Sequence, residues 1–252
     1  MKKDQGKILN IILPIISVSL IFIVWAITAI AVDNAYLLPS VSQTLKEFFS
    51  LFTYSEFYLA LGGTLLRSLI AFLISFSISC VLAFLSYNSD KAKRFISPII
   101  AITRVLPTIA VVLLLLVWTN SFVAPVVVTM LVVLPTIYTN VLNSLEGIDK
   151  GQIEMCKLFG ISEKEITLKV KLPQIAPPLY STIGSGISLN LKLMVAAEVL
   201  SFTVNSIGYY LQTAKQYDQL VTMMALVLVT VILGLIIEGV FSLISKKVGK
   251  WQ

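Results

Sequence analysis

Arg67, Arg104, Lys192 and Glu198 are charged residues inside long apolar stretches. A charge at membrane depth is costly unless it faces protein or water, so each is a candidate for solute contact or for an ion pair within the bundle. Arg104 and Lys192 would suit a route for an anion, with Thr103, Thr108, Asn140, Ser188 and Asn190 adding hydroxyls and amides to it. The competing reading is structural: Arg104 reaches toward the cytoplasmic side or pairs locally, and Glu198 bonds backbone or a neighbouring helix. Lys192 and Glu198 are six residues apart, about 240° around an ideal helix, so they do not share a face. The chain contains no His, which removes Ser-His and Cys-His dyads and any His-containing zinc site. Paired carboxylates at span depth are missing too, so an intramembrane enzyme finds no support and neither a metal nor a catalytic residue is expected. Nor is there a Gly-x4-Gly-Lys-Ser/Thr phosphate loop, so any ATP chemistry belongs to another subunit. Cys80 falls in an apolar run and Cys156 in a charged one, and no disulfide is expected between them.

The elements that must position these residues follow from composition. Of 252 residues, 57% are hydrophobic and 13% charged, against about 25% charged in an ordinary soluble domain, and the mean hydropathy is +0.93. An all-α integral membrane protein is the class that fits. A spanning helix needs about 20 apolar residues, and six candidates lie near 8–32, 59–87, 95–118, 122–143, 175–203 and 220–245. The first is long for a cleavable signal peptide and lacks a clear small-residue cleavage site, so it reads as a retained helix. Val105–Leu145 carries no charge and is too long for one crossing, and Asn120-Ser121 before Pro125 supplies the break.

Six spans put both termini on one side, and the cations indicate which. With the amino terminus inside, 14 of the 19 Lys and Arg fall on cytoplasmic segments, from Lys2, Lys3 and Lys7 to Lys246, Lys247 and Lys250. Only Lys46 and Lys215 fall outside. This positive-inside pattern predicts cytoplasmic termini. It also accounts for the formal charge of +6 without a nucleic-acid partner.

Outside the spans, Val41, Leu45, Phe48, Phe49 and Phe52 recur at helical spacing opposite Ser42, Gln43, Lys46, Glu47 and Ser50, which predicts an amphipathic interfacial helix over about 41–53. It anchors the first two spans or touches solute. Ala71, Ser75, Ser79 and Ala83 form a stripe of small residues, and Ser181, Thr182, Gly184, Ser185, Gly186 and Ser188 cluster in the fifth span; both suit close helix packing. No repeat relates the two halves, so an inverted-repeat transporter is not supported.

The longest internal hydrophilic segment, about 144–173, predicts a cytoplasmic helix-turn-helix between the fourth and fifth spans. Its first helix would run from about Asp149 to Phe159 and end at Gly160; its second would be capped by Ser162 with Glu165 three residues on, and would stop near Pro173. Ile153, Met155, Leu158 and Phe159 would make an apolar knob for a cytoplasmic partner. A plain connector remains the alternative from these residues alone.

Glu154-Met155-Cys156, then Gly160 after three intervening residues, then Val170-Lys171-Leu172-Pro173 after nine intervening residues, resemble the Glu-Ala-Ala loop of permease subunits of binding-protein-dependent ABC importers. Met155 and Cys156 stand where that family has two Ala, and Val170 where it has Ile. Leu38-Pro39-Ser40, Arg67, Arg104-Val105-Leu106-Pro107, Trp118, Pro135-Thr136, Val195-Ala196-Ala197-Glu198 and Ile207-Gly208-Tyr209 extend the resemblance to the nitrate, sulfonate and taurine branch over about 36–245. Thr119-Asn120 departs from it, where many relatives have Phe-Gly.

The resemblance implies a single permease domain, 1–252, of the type I, MetI-like fold in a bacterial-type cell membrane. It implies a second copy of the permease, two cytoplasmic ATPases that hold the ATP and Mg, and an extracytoplasmic solute-binding protein. The chain itself would carry no cofactor. Glu154, Met155, Cys156, Gly160, Leu172 and Pro173 would couple to the ATPase, Glu154 through polar contacts and Gly160 by fixing the angle between the two helices. Arg104, Lys192, Glu198, Asn140 and Ser188 would line the pathway of nitrate, a sulfonate such as taurine, or a similar solute. A small heterocycle such as a thiamin-pyrimidine precursor, or a scaffold or passive channel without energy coupling, are the alternatives.

Overall fold

The structure is a computed structural model in which residues 2–249 are described, with side chains for 13, 14 and 16–248. The side chains of Lys2, Lys3 and Lys7 and the whole of Lys250, used above for orientation, lie outside that description. Among the described residues there is helix and no strand. The helices are α1 (Lys2–Val32), α2 (Val41–Leu51), α3 (Ser55–Asn88), α4 (Asp90–Val105), α5 (Thr108–Trp118), α6 (Val123–Glu146), α7 (Lys150–Leu158), α8 (Glu163–Ile166), α9 (Leu172–Ser201), α10 (Ile207–Gln216) and α11 (Leu220–Gly249). A π-helical stretch, Thr167–Lys171, joins α8 to α9. Among the described residues four helices are long and apolar enough to cross a membrane, Ser55–Asn88, Val123–Glu146, Glu163–Ser201 and Leu220–Val248, and five do so if the bent pair α4–α5 is one broken span.

Two expectations need correction. The stretch 95–118 is not one straight span but α4 and α5, bent by 95° at Leu106-Pro107. Proline drives the preceding residue out of the helical region, and Leu106 is extended at φ −61°, ψ 125°. The second helix of the hydrophilic loop does not stop near Pro173; it runs through the π turn into the fifth span as 39 continuous residues. Pro173 sits in the first turn of α9, where the wider π turn before it relieves the clash a proline ring makes inside a regular helix. The interfacial helix forms as α2 and ends at Leu51. Helix α10 was not anticipated.

The chain divides into two compact units. The first comprises residues 1–58 and 210–229. Within it, Ser40 and Gln43 cap α2 reciprocally, the Trp25 indole N–H donates to the Pro39 carbonyl at 3.0 Å, and Thr222 donates to Glu47 at 3.0 Å. Phe48, Phe52 and Phe57 meet edge to face beneath α2.

The second unit, residues 59–209 and 230–252, holds the larger core. Phe72, Ile96, Ile100, Val133, Ile137, Tyr138, Val141, Leu142 and Leu145 are buried together, and α6 and α9 pack along each other. The small-residue stripe of α3 is fully buried: Ser75 and Ser79 donate to the α6 carbonyls of Met130 and Leu134, at 3.4 and 2.9 Å. Small side chains let the two backbones approach where lipid supplies no hydrophobic drive.

Candidate functional site

The hydrophilic loop forms a closed elbow. Asp149 accepts from the amides of Gly151 and Gln152 to start α7. At its end the Gly160 amide donates to Lys157 O at 3.0 Å and the Ile161 amide to Cys156 O at 3.1 Å, the paired bonds of a Schellman stop. Gly160 lies at φ +71°, the left-handed conformation that costs glycine least. Ser162 then caps α8 by accepting from Glu165 N, while its hydroxyl donates to the Glu165 carboxylate.

Charges brace the two arms. Lys157 of α7 pairs with Glu163 of α8 at 2.7 Å, Lys171 approaches the same carboxylate at 3.8 Å, and Lys169 pairs with Glu165 at 3.1 Å. The Lys157 hydrogen bond, then its charge, hold the Glu163 carboxyl below the usual carboxylate range and raise Lys157 in return. Gln174 ties the elbow to α9, accepting from Asp149 N and donating to the Gln152 side chain at 2.7 Å. The elbow exposes Met155, Leu158 and Phe159, the last two by 89% and 80%. Glu154 is exposed and Cys156 half-buried with a free thiol; Leu172 and Pro173 are exposed where α9 begins.

The candidate pathway residues separate into two groups. Asn140 lines an open groove of about 290 Å³ with Asn143, Ser144, Ser181, Thr182 and Ser185. Every side-chain polar group in it is a neutral amide or hydroxyl. Ser181 and Ser185 were read above as packing residues, yet both are exposed, while Gly184, Gly186 and Ser188 of the same cluster are buried. Along the exposed face of α9, Lys192 follows Ser185 two turns on. Arg104 is exposed beside α6, donating to the Thr139 hydroxyl and, at 3.5 Å, to the Pro135 carbonyl. Among the described residues neither Arg104 nor Lys192 forms an ion pair.

Glu198 stands apart from this face. It is fully buried, with Oε1 accepting from Arg67 Nε at 2.8 Å and Oε2 accepting from the Thr64 hydroxyl at 2.8 Å and the Gly208 amide at 3.4 Å. Ser188 is buried against Gly234. The Gln152–Gln174 bond and the Thr64–Glu198 bond were missed because each joins residues remote in sequence and ordinary in type. The Ser181/Ser185 spacing, together with Asn140 and Asn143 one helical turn apart, was the available sign of the groove. Among the described residues no group of three Cys, Asp or Glu is placed to hold a metal.

Comparison with known proteins agrees with this architecture. The chain is 22% identical over 253 residues to the putative aliphatic sulfonates transport permease protein of Bacillus subtilis, covering 100% of this chain and 90% of that one. It is 23% identical over 185 residues to the formylaminopyrimidine transport permease protein of Halalkalibacterium halodurans, 73% of each. In fold it is similar to the MetNI methionine ABC transporter in its inward-facing conformations, with a TM-score of 0.63, 22% identity and coverage of 75% of this chain and 94% of that one. A crystal structure of an amino acid ABC transporter gives a TM-score of 0.65 at 18% identity, covering 79% and 98%. Residues 75–250 match the family of binding-protein-dependent transport system inner membrane components, and the chain belongs to that family as a multi-pass ABC importer permease of the MetI type.

Proposed function

We propose that this permease spans the membrane six times with both termini cytoplasmic, pairs with a second copy, and passes a small anion of the nitrate, sulfonate or taurine type by alternating access. The braced elbow is the observation that carries the coupling half of this reading. It holds Leu158 and Phe159 out as an apolar knob at a fixed angle, and such a knob suits a groove on a cytoplasmic ATPase. ATP and Mg reside on that ATPase, and an extracytoplasmic binding protein delivers the solute. Closure of the ATPase dimer displaces the paired elbows, and rigid-body rocking of the spans turns the pore outward. Glu154, exposed on α7, supplies a polar contact to the ATPase; Gly160 keeps the arms at one angle.

The anion reading draws support from two exposed cations that have no carboxylate partner among the described residues: Lys192 on α9, which lines the Asn140 groove, and Arg104 on α4, which bonds to Thr139 of α6. An unpaired Lys on a spanning helix is tolerated facing water or a partner, not lipid. A second reading, transport of a small heterocycle, is favoured by the groove itself, whose neutral amides and hydroxyls match a pyrimidine's donors and acceptors.

The test is reconstitution in nanodiscs with the cognate ATPase and binding protein, measuring ATP hydrolysis with nitrate, taurine or an aminopyrimidine present. Stimulation by an anion supports the first reading, and stimulation by the pyrimidine alone replaces it with the second. A chain that binds no ATPase removes both.

A further inference from the structure

Burying a charged pair is costly, and a hydrophobic pair of similar volume is often as stable or more so. Arg67 and Glu198 are nevertheless 4% and 0% exposed. What they hold together is specific. Arg67 Nε donates to Glu198 and Nη2 donates to the Asn205 carbonyl at 2.9 Å, while its guanidinium lies over the Phe122 ring at 5.6 Å. The Thr64 hydroxyl donates to Glu198 and accepts from the Ile207 amide at 2.9 Å. Thr203 donates to the Ser121 carbonyl at 2.6 Å. Four segments therefore meet at one buried polar cluster: α3, the end of α9, the 119–122 turn between α5 and α6, and the 202–206 reversal, where Phe202 and Asn205 both have positive φ.

The cluster has no slack. A Cβ on Gly63 would collide with the Asn205 carbonyl, and one on Gly208 would collide with Glu198 Cβ and lie 2.6 Å from Val199 N. Glu198 also sits near the far end of the continuous helix that begins at the elbow, Glu163–Ser201. At about 1.5 Å per residue that rod is about 58 Å long. Its start is set by the Ser162 cap and the Lys157–Glu163 brace, and its end by Arg67.

We propose that the Arg67–Glu198 pair is a transmission joint: two positioning residues through which movement of the elbow end of this rod is delivered to α3 and to the 119–122 turn at the opposite end of the bundle. The proposal rests on the importer reading above, in which the elbow is where ATP-driven motion enters. Directional bonds to four segments fix the angle at which they meet, and apolar packing alone leaves that angle free. The buried pair is thus distinct from the exposed Arg104 and Lys192, and Glu198 contributes through Arg67 instead of touching solute.

The test uses the full permease with its ATPase in nanodiscs, in a Cys80→Ser, Cys156→Ala background carrying Val204→Cys, a position 61% exposed within the reversal. The readout is the rate of labelling by a membrane-impermeant maleimide before and after trapping the ATPase with ATP and vanadate. With the pair intact, trapping is expected to change that rate by about fivefold or more, the low end of ordinary coupling between distant sites. In the Arg67→Met, Glu198→Met double variant, which keeps volume and removes both charges, vanadate should still arrest hydrolysis while the labelling rate no longer responds. A double variant that responds like the parent overturns the proposal and leaves the pair a packing feature. A parent that arrests with vanadate yet shows no labelling change overturns it as well, whereas failure of the ATPase to bind or trap is the separate failure of the importer reading. If the double variant does not assemble, Thr64→Val, which keeps both charges, decides: a reduced response supports the joint and an unchanged one overturns it.

Discussion

Lys157 and Glu163 face each other across the elbow, Nζ to Oε1 at 2.7 Å, with Gly160 between them in the left-handed conformation. Both side chains are more than half exposed, so the pair adds little to overall stability. Its effect is geometric: it closes one arm against the other, and Lys171 on the π turn reinforces the same carboxylate. The apolar knob is thereby presented at one angle to whatever docks on it.

That bracing has a defined pH window. Glu163 is lowered from 4.5, first by the hydrogen bond from Lys157 and then by its charge, and Glu165 is lowered chiefly by its hydrogen bond from Lys169. A depressed carboxyl contributes stability above its unfolded value and loses it as pH falls through the folded one. Lys157 is raised from 10.5 by its hydrogen bond to Glu163, so its contribution is complete below that value and lost as pH rises through the higher folded one. Hydrogen exchange across Ile161–Ile166, corrected for intrinsic rates, should show constant protection between about pH 5 and 10 and lose it at either side. Loss of protection between pH 6 and 8 would contradict this account.

Gly160 should tolerate Asn far better than Val. A Cβ there meets nothing within 4 Å, so the only penalty is the backbone at φ +71°. That penalty is about 1–2 kcal/mol for an L residue, is least for Asn, and is greatest for a β-branched side chain. The expected result for Gly160→Val is an inserted permease that still binds the ATPase weakly but no longer couples hydrolysis to uptake. Gly160→Asn should keep most coupling, and equal behaviour of the two variants would remove the elbow angle from the mechanism.

If Arg104 and Lys192 meet an anion in transit, Arg104→Gln and Lys192→Gln should each weaken uptake of nitrate or taurine. A lost charge-assisted contact of about 1.5–3 kcal/mol corresponds to roughly ten- to hundredfold in uptake efficiency. Assembly and basal ATP hydrolysis should stay near parental levels, since both side chains are exposed. Anion uptake unchanged in both variants would favour the neutral groove around Asn140 as the solute contact.

Much of this arrangement is local and was therefore legible in the sequence. The Asp149 and Ser162 caps, the Gly160 stop and the small-residue stripe of α3 depend on residues within a turn or two of each other, and each forms as its spacing predicts. The bend at Leu106-Pro107 was missed because apolar composition runs through it without interruption and hydropathy does not register a backbone turn. Continuity from α8 into α9 was missed because Pro173 normally signals a stop, and the π turn that admits it has no sequence mark of its own. The partner of Glu198 was invisible for another reason: Arg67 is 131 residues away, and only tertiary packing brings the two together. Spacing did show that Lys192 was not that partner.

Close helix contacts at glycine give the last prediction. A Cβ on Gly184 of α9 would lie 2.6 Å from Phe241 Cβ on α11, an atom next to the backbone that cannot swing aside, so Gly184→Ala must push the two helices apart. Overpacking of this kind costs about 1–3 kcal/mol. Gly62 of α3 is also helical, yet a Cβ there meets nothing within 4 Å. Gly62→Ala should therefore stabilise by about 0.5–1 kcal/mol through the smaller backbone entropy of the unfolded chain. Thermal denaturation in one detergent at one scan rate should place Gly184→Ala below the parent and Gly62→Ala at or above it. The reverse order would mean that α9 and α11 do not meet at Gly184 and Phe241.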